Sequence, residues 1–377
     1  MSFIETRAQL ELQEAAREVV TRAIAPAAAR VPPGGKLTSE QLREMYRALR
    51  PLGYLGSTIK KDYGGAGLSY VDYGLLLEAL AAGPVVLGEV VPPRTINYLG
   101  TDAQRQRWLP RLFAGDWVST AAITEPQAGS DMRGFTNNAV LAGAHYVVNG
   151  QKRWIKLGGA SDLMTLMVVD AEGGLSRLVL ERAVSPWESR ELPAVGIRNL
   201  SFAELTFKDV RVPRENLLGA AGVGGEQFHR GIESSRAFVG IQAVGIARQA
   251  LEVGLRYAKE RVAFGRPIGK FQGVQMALAD AATRLQAARL LCLNALSIID
   301  AGRRAPCDVS MAKVFAVETA ISTCQVAMES MGAWGLAEDA GVERCWRDCC
   351  MLTAIDGTAN VQRLIIGREL LGMPAFV

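Results

Sequence analysis

Two histidines, His145 and His229, are the only imidazoles in this chain. A histidine-rich metal site is therefore not expected. A Ser-His-Asp triad would have to use one of the two, and each reads more simply as a polar or partly buried structural side chain. The six cysteines, Cys292, Cys307, Cys324, Cys345, Cys349 and Cys350, form no CxxC pair. They read as reduced thiols in a cytoplasmic protein. The segment with the most chemical potential is AAITEPQAGSD at 121–131. It is a polar, glycine-containing loop. Thr124, Ser130 and the amides near them suit hydrogen bonds to a heteroaromatic ring or a phosphate, although the same residues also make an ordinary capped turn. A glycine-rich run, GAAGVGG at 219–225, lacks both the Lys-Ser/Thr ending of a phosphate loop and the spacing of a dinucleotide fingerprint, and is expected to connect domains.

These residues need a scaffold, and 377 residues suffice for two or three packed sub-domains. Hydrophobic residues at 49% and charged residues at 21% are ordinary for a globular chain. A net charge of +4, from 42 basic and 38 acidic residues, is too balanced to suggest nucleic acid. The first twenty residues carry charges throughout, unlike a signal peptide. No eighteen apolar residues run together, so no membrane span is expected.

The first third is rich in helix formers over 3–29, 38–50, 70–82 and 102–114, with Thr38 and Thr101 as N-caps. From about residue 117 the signals become short β runs at 144–150, 163–170, 177–181 and 202–208, and Asn149-Gly150 reads as a hairpin turn. Helical periodicity returns over 233–265, 274–299, 307–332, 342–354 and 358–372, which suggests a bundle. No βαβ alternation appears, so a Rossmann fold is disfavoured. The expected class is α+β, mainly α, with boundaries at 1–116, 117–220 and 221–377.

Six segments, in order, resemble those of acyl-CoA dehydrogenases. AAITEPQAGSD is similar to that family's signature loop and NGQKRWI at 149–155 to the strand holding its flavin ring. FKDVRVPRENLLG at 207–219 resembles the exit from its middle domain, and YAKERVAFGRPIGKFQ at 257–272 its cofactor-contacting helix and loop. MGAWG at 331–335 resembles its glycine turn near the pyrophosphate, and IDGTANVQRLIIGRE at 355–369 its C-terminal active-site segment. The resemblance covers nearly the whole chain. It implies an N-terminal helical domain, a middle β-barrel domain and a C-terminal helical bundle, with FAD as cofactor.

The implied roles are specific. Ile123 and Thr124 line the flavin, Ser130 lies between flavin and substrate, and Trp154 packs against the isoalloxazine. Arg261, Phe264, Phe271 and Gln272 bind pyrophosphate and adenine across a subunit interface. Glu329, Gly332 and Ala333 form the pyrophosphate turn, and Thr358 and Asn360 lie near the adenosine half. Arg236, with Glu233 one turn before it, and Gly357 serve the substrate. Asp356 is the implied base, taking the α-proton of an acyl-CoA or acyl-carrier-protein thioester. A homodimer or homotetramer is implied, with an electron-transfer flavoprotein as a further partner.

Three departures matter. The base is normally glutamate, and Asp356 is one methylene shorter; Ser235 stands where some relatives place a substitute base. Trp154-Ile155-Lys156-Leu157 replaces the usual Trp-Ile-Thr-Asn, so an ammonium either sits beside the flavin or swings into solvent. Glu329 and Ala333 replace a usual glutamine and glycine. Two alternatives therefore stand beside the dehydrogenase reading: an oxidase or monooxygenase tuned by Lys156, and an inert binding homologue.

Overall fold

The computed structural model describes residues 5–375. The N-terminal segment holds α1 (Arg7–Val19), α2 (Ala25–Ala29), α3 (Ser39–Leu49), α4 (Tyr70–Ala81), α5 (Val91–Leu99) and α6 (Asp102–Ala114). α3 and α6 begin where expected: Thr38 and Thr101 accept from the amides of Gln41 and Gln104, whose side chains return the bond. The long first helix differs from expectation, because a π-helical turn at Val20–Ile24 separates α1 from α2. α5 lay unrecognised because it opens Val91-Pro92-Pro93. Prolines cost nothing in a first turn, where amides have no intrahelical acceptor.

The middle segment is one sheet built from β1 (Ser119–Ala122), β2 (Asn138–Ala142), β3 (His145–Lys156), β4 (Leu163–Val169), β5 (Leu175–Glu181), β6 (Glu188–Glu191), β7 (Phe202–Pro213) and β8 (Leu217–Leu218). Their order is β6-β7-β3-β2-β4-β5-β8, with β1 joined in parallel to β4. Among the described residues the two end strands do not pair, so the sheet does not close into a barrel. Asn149-Gly150 is not a hairpin turn. It lies inside β3 at a register shift against β7, with Gly150 at φ 135°, and Asn149 exchanges hydrogen bonds with Asp209. The hairpin turn sits at Gly143-Ala144 instead.

The segment 219–225 does connect the sheet to the helices, Gly222 donating its amide to Ser176 Oγ at 2.8 Å. α7 (Gly224–Glu260) follows and packs on α4 and on α8 (Gln272–Asp300) and α9 (Pro306–Met331), between which and the chain end lie α10 (Val342–Leu352) and α11 (Ala359–Leu371). A short β9 (Val262–Ala263) and β10 (Arg266–Pro267) link α7 to α8. One apolar cluster runs through the N- and C-terminal helices and takes in Leu157, Ile197 and Phe202 from the middle segment. A smaller one, with Ile96, Trp108, Leu112, Leu163 and Val179, clamps α5 and α6 onto the sheet. The main cavity therefore has walls from all three segments. No described helix is long and apolar enough to cross a membrane.

Candidate active site

A cavity of about 1160 Å³ is lined by α5, the end of β3, the 121–124 loop, α7 and the 354–356 segment. Its β wall is shaped by a second irregularity in β3. The register against β7 shifts between Lys152 and Ile155, and Trp154 adopts φ 62°. A bulge of this kind re-aims a side chain, and Trp154 faces the cavity with 48% of its surface exposed. The Arg153 amide donates to Thr124 O at 2.8 Å, stitching the bulge to the 121–124 loop. That loop has its own anchor. Lys152, wholly buried, donates to Ile123 O and Glu125 Oε1, both at 2.8 Å, and lies over the Phe135 ring. Glu125 in turn accepts from the amides of Thr136 and Asn137. Burial works against the Glu125 charge, but Lys152 and these donors outweigh it and hold its pKa below the usual value.

Lys156 does not point to solvent, and among the described residues it forms no ion pair within bonding distance. Its Nζ donates to Leu87 O at 2.7 Å, reaching from β3 across to the 87–88 turn. Burial pulls its pKa down to about 8, against the opposing pull of Asp356 and Glu89. Beyond it, Arg94 on α5 meets Glu89 at 2.8 Å and donates to Ser234 Oγ, to Ser235 Oγ at 2.9 Å and to Gly231 O at 3.0 Å. The Glu89 side chain is 8% exposed, and its Oε2 has no hydrogen-bond partner among the described residues. Burial raises its pKa despite Arg94.

Asp356 forms the opposite wall at φ 56°, followed by Gly357 at φ 97°. Aspartate is one of the few side chains that tolerate this left-handed region. Three side chains grip the backbone around it. Lys313 donates to Ile355 O and Gly357 O, Gln362 Nε2 to Asp356 O and Gly357 O at 3.1 Å, and Arg236 Nε to Asp356 O at 3.3 Å. The Asp356 carboxyl itself accepts no hydrogen bond among the described residues. Burial raises its pKa, in spite of Lys313, Arg236, Lys156 and Arg94. Lys313 is a positioning residue, and its replacement by methionine should let the segment relax. A displacement near 1 Å costs about 10²-fold in rate. Single-turnover kinetics of Lys313→Met should show that loss in the limiting rate, with substrate Kd changed much less.

Of the expected site residues, Ile123, Thr124, Trp154, Lys156 and Asp356 share the cavity. Ser130 does not; it is exposed and does not line the cavity. Glu233 does not line it either, because its carboxylate is occupied by Arg304 Nε at 2.6 Å and by the Ala305 amide. Arg236 and Gly357 are spent on the Asp356 segment as described. Arg261, Phe264, Gln272, Glu329, Gly332, Ala333, Thr358 and Asn360 lie exposed elsewhere on the surface, with Phe271 half-buried beside Phe264. Phe264 is 95% exposed. Glu329 turns along its helix to Gln325. His145 sits on β3 beside Arg211, away from the cavity, and the side chain of His229 lies outside the described residues. Sequence reasoning missed Glu89, Arg94, Lys313 and Gln362. Lys313 alone left a signal, as a single cation within the apolar run VSMAKVFAV.

The cavity suits a flat heteroaromatic group. Trp154 is an aromatic platform, Thr124 and the adjoining amides border it, and the buried Ser119 Oγ on the same wall is unpartnered among the described residues. The volume exceeds that of ordinary single-ligand pockets, leaving room for a second molecule.

Comparison with known proteins agrees with this geometry. The family model described as acyl-CoA dehydrogenase, N-terminal domain, matches residues 6–116; those for the middle and C-terminal domains match 120–210 and 222–371. A probable acyl-CoA dehydrogenase of Bacillus subtilis is 33% identical, over 98% of this chain and 100% of its own length. The structure of butyryl-CoA dehydrogenase from Megasphaera elsdenii superposes with a TM-score of 0.90 at 30% identity, covering 98% of this chain and 100% of that one. A glutaryl-CoA dehydrogenase from Mycobacterium smegmatis, solved in complex with FADH2, gives 0.89 at 25% identity, covering 99% and 97%. With its three domain models matched in order and relatives aligned end to end, this chain belongs to the acyl-CoA dehydrogenase family.

Proposed function

We propose that the protein carries out FAD-dependent α,β-dehydrogenation of an acyl thioester, with Asp356 as the base. The carrying observation is the state of Asp356: a carboxyl that accepts no hydrogen bond among the described residues, on the wall of a large cavity, on a backbone gripped by Lys313, Gln362 and Arg236. Such a group takes up a proton without first breaking a bond, and burial makes it a stronger base than a solvated aspartate. FAD, when bound, supplies the acceptor for the β-hydrogen as hydride. The Trp154 platform and the 123–124 loop would hold its ring. Arg236 and Glu233 act through Asp356 and Arg304 respectively, rather than by touching the acyl group.

The same reading supplies the assembly. Arg261, Phe264, Phe271 and Gln272, with Glu329, Gly332, Ala333, Thr358 and Asn360, would meet the pyrophosphate and adenosine once a second copy covers them. We propose a homodimer or homotetramer on this basis, with domains at 1–116, 117–220 and 221–377. The acyl carrier would be CoA or a carrier protein. Electrons would leave to an electron-transfer flavoprotein, and the six free cysteines agree with a cytoplasmic location.

The test is anaerobic mixing of the flavoprotein with saturated acyl thioesters. Flavin absorbance should bleach. The rate should rise with pH, because only ionised Asp356 takes the proton, and the midpoint should lie above about 3.9, the value for a free aspartate. A yellow protein that no thioester bleaches would overturn the proposal.

A further inference from the structure

On the dehydrogenase reading, the acyl group enters the cavity whose wall carries Lys156, Glu89 and Arg94. These charges do not balance locally. Arg94 is already engaged through Nη1 and Nη2, by Glu89, two serine hydroxyls and a carbonyl. It offsets the Glu89 carboxylate. Asp356 has Lys313 and Arg236 behind it. Lys156 meets no carboxylate at bonding distance among the described residues, and gives one of its three N–H donors to Leu87 O. Two donors remain for a ligand. A hydrocarbon tail packed here would displace water from an ammonium and return nothing, which is costly. An oxyanion would instead give that ammonium a counter-charge and charge-assisted hydrogen bonds. The stem of Lys156 also spans from β3 to the 87–88 turn, so it limits how deep a straight chain can reach.

We infer that Lys156 determines specificity, and that the substrate is a short acyl thioester whose acyl group ends in an oxyanion such as a carboxylate. A bound oxyanion would also oppose the burial that lowers the lysine pKa.

Matched substrates test this in the holoenzyme without oxygen. Pentanoyl-CoA and its 4-carboxybutanoyl counterpart differ in the terminal charge, and octanoyl-CoA tests depth. The carboxylated member should reduce the flavin with about tenfold or greater preference in limiting rate over Kd. Lys156→Met should erase most of that preference and admit octanoyl-CoA, while Lys156→Arg should keep it. A wild-type preference for the uncharged member, or an unchanged ratio in Lys156→Met, would overturn the inference alone. If Lys156→Met does not fold, the wild-type ratio remains decisive. Failure of every thioester to bleach the flavin would remove the dehydrogenase reading itself, and this inference with it.

Discussion

Asp356→Asn should slow flavin reduction by about 10²–10⁴-fold, the range a positioned general base contributes. The substitution is close to a pure test of charge. Asparagine has nearly the same volume and is equally at home in the left-handed backbone that Asp356 adopts. The grips from Lys313, Gln362 and Arg236 fall on backbone carbonyls of 355–357, so they survive the change. Thioester Kd and flavin content should therefore hold, and the loss should appear in the limiting rate. The rising pH limb should disappear with it. A rate within tenfold of the wild type would assign proton removal elsewhere, and Glu89, a second carboxyl on the cavity wall, would be next to examine.

The largest effect on stability should come from Lys152→Met, at about 3–5 kcal/mol, the usual cost of breaking a buried ion pair from one side. Methionine fits the space, so little of this is packing. The cost is a Glu125 carboxylate 1% exposed and stripped of its cation. Urea unfolding should show a lower midpoint with an unchanged slope. Adding Glu125→Gln should recover part of the loss, since an amide needs no counter-charge. The pH dependence has a definite sign. Glu125 has a folded pKa below its unfolded one. Its contribution is thus fully present above about 4.3 and is lost as pH falls through the lowered folded value. The wild-type margin over the variant should shrink in that acidic window. Because Lys152 also holds Ile123 O, flavin binding should weaken together with stability.

Local rules were enough for much of the framework. Thr38 and Thr101, each followed three residues later by glutamine, mark α3 and α6 because a capping box is satisfied within four residues. The long C-terminal helices follow from their apolar period, and the change to β at about residue 117 from runs bounded by turn residues. Local rules failed where a residue has two lawful uses. Pro92 and Pro93 break a helix in its interior but open one in its first turn, so α5 and its Arg94 went unseen. Asn149-Gly150 turns a hairpin or makes a bulge, and Asp209 on a strand sixty residues away decided for the bulge.

The sequence by itself determined the family, the order of helical, β and helical segments, and the identity of the loop, tryptophan and aspartate that share the cavity. Those are properties of motifs, each contained in a short run whose residue types carry the signal. Tertiary structure alone decided what surrounds them. Lys313 reaches the Asp356 segment from another helix, Glu233 is diverted to Arg304, and Lys156 crosses to the 87–88 turn instead of reaching solvent. A charged side chain goes to the nearest unpaired carbonyl or opposite charge when burial makes its isolation costly. Which one is nearest depends on how distant segments pack, and no local pattern records that distance.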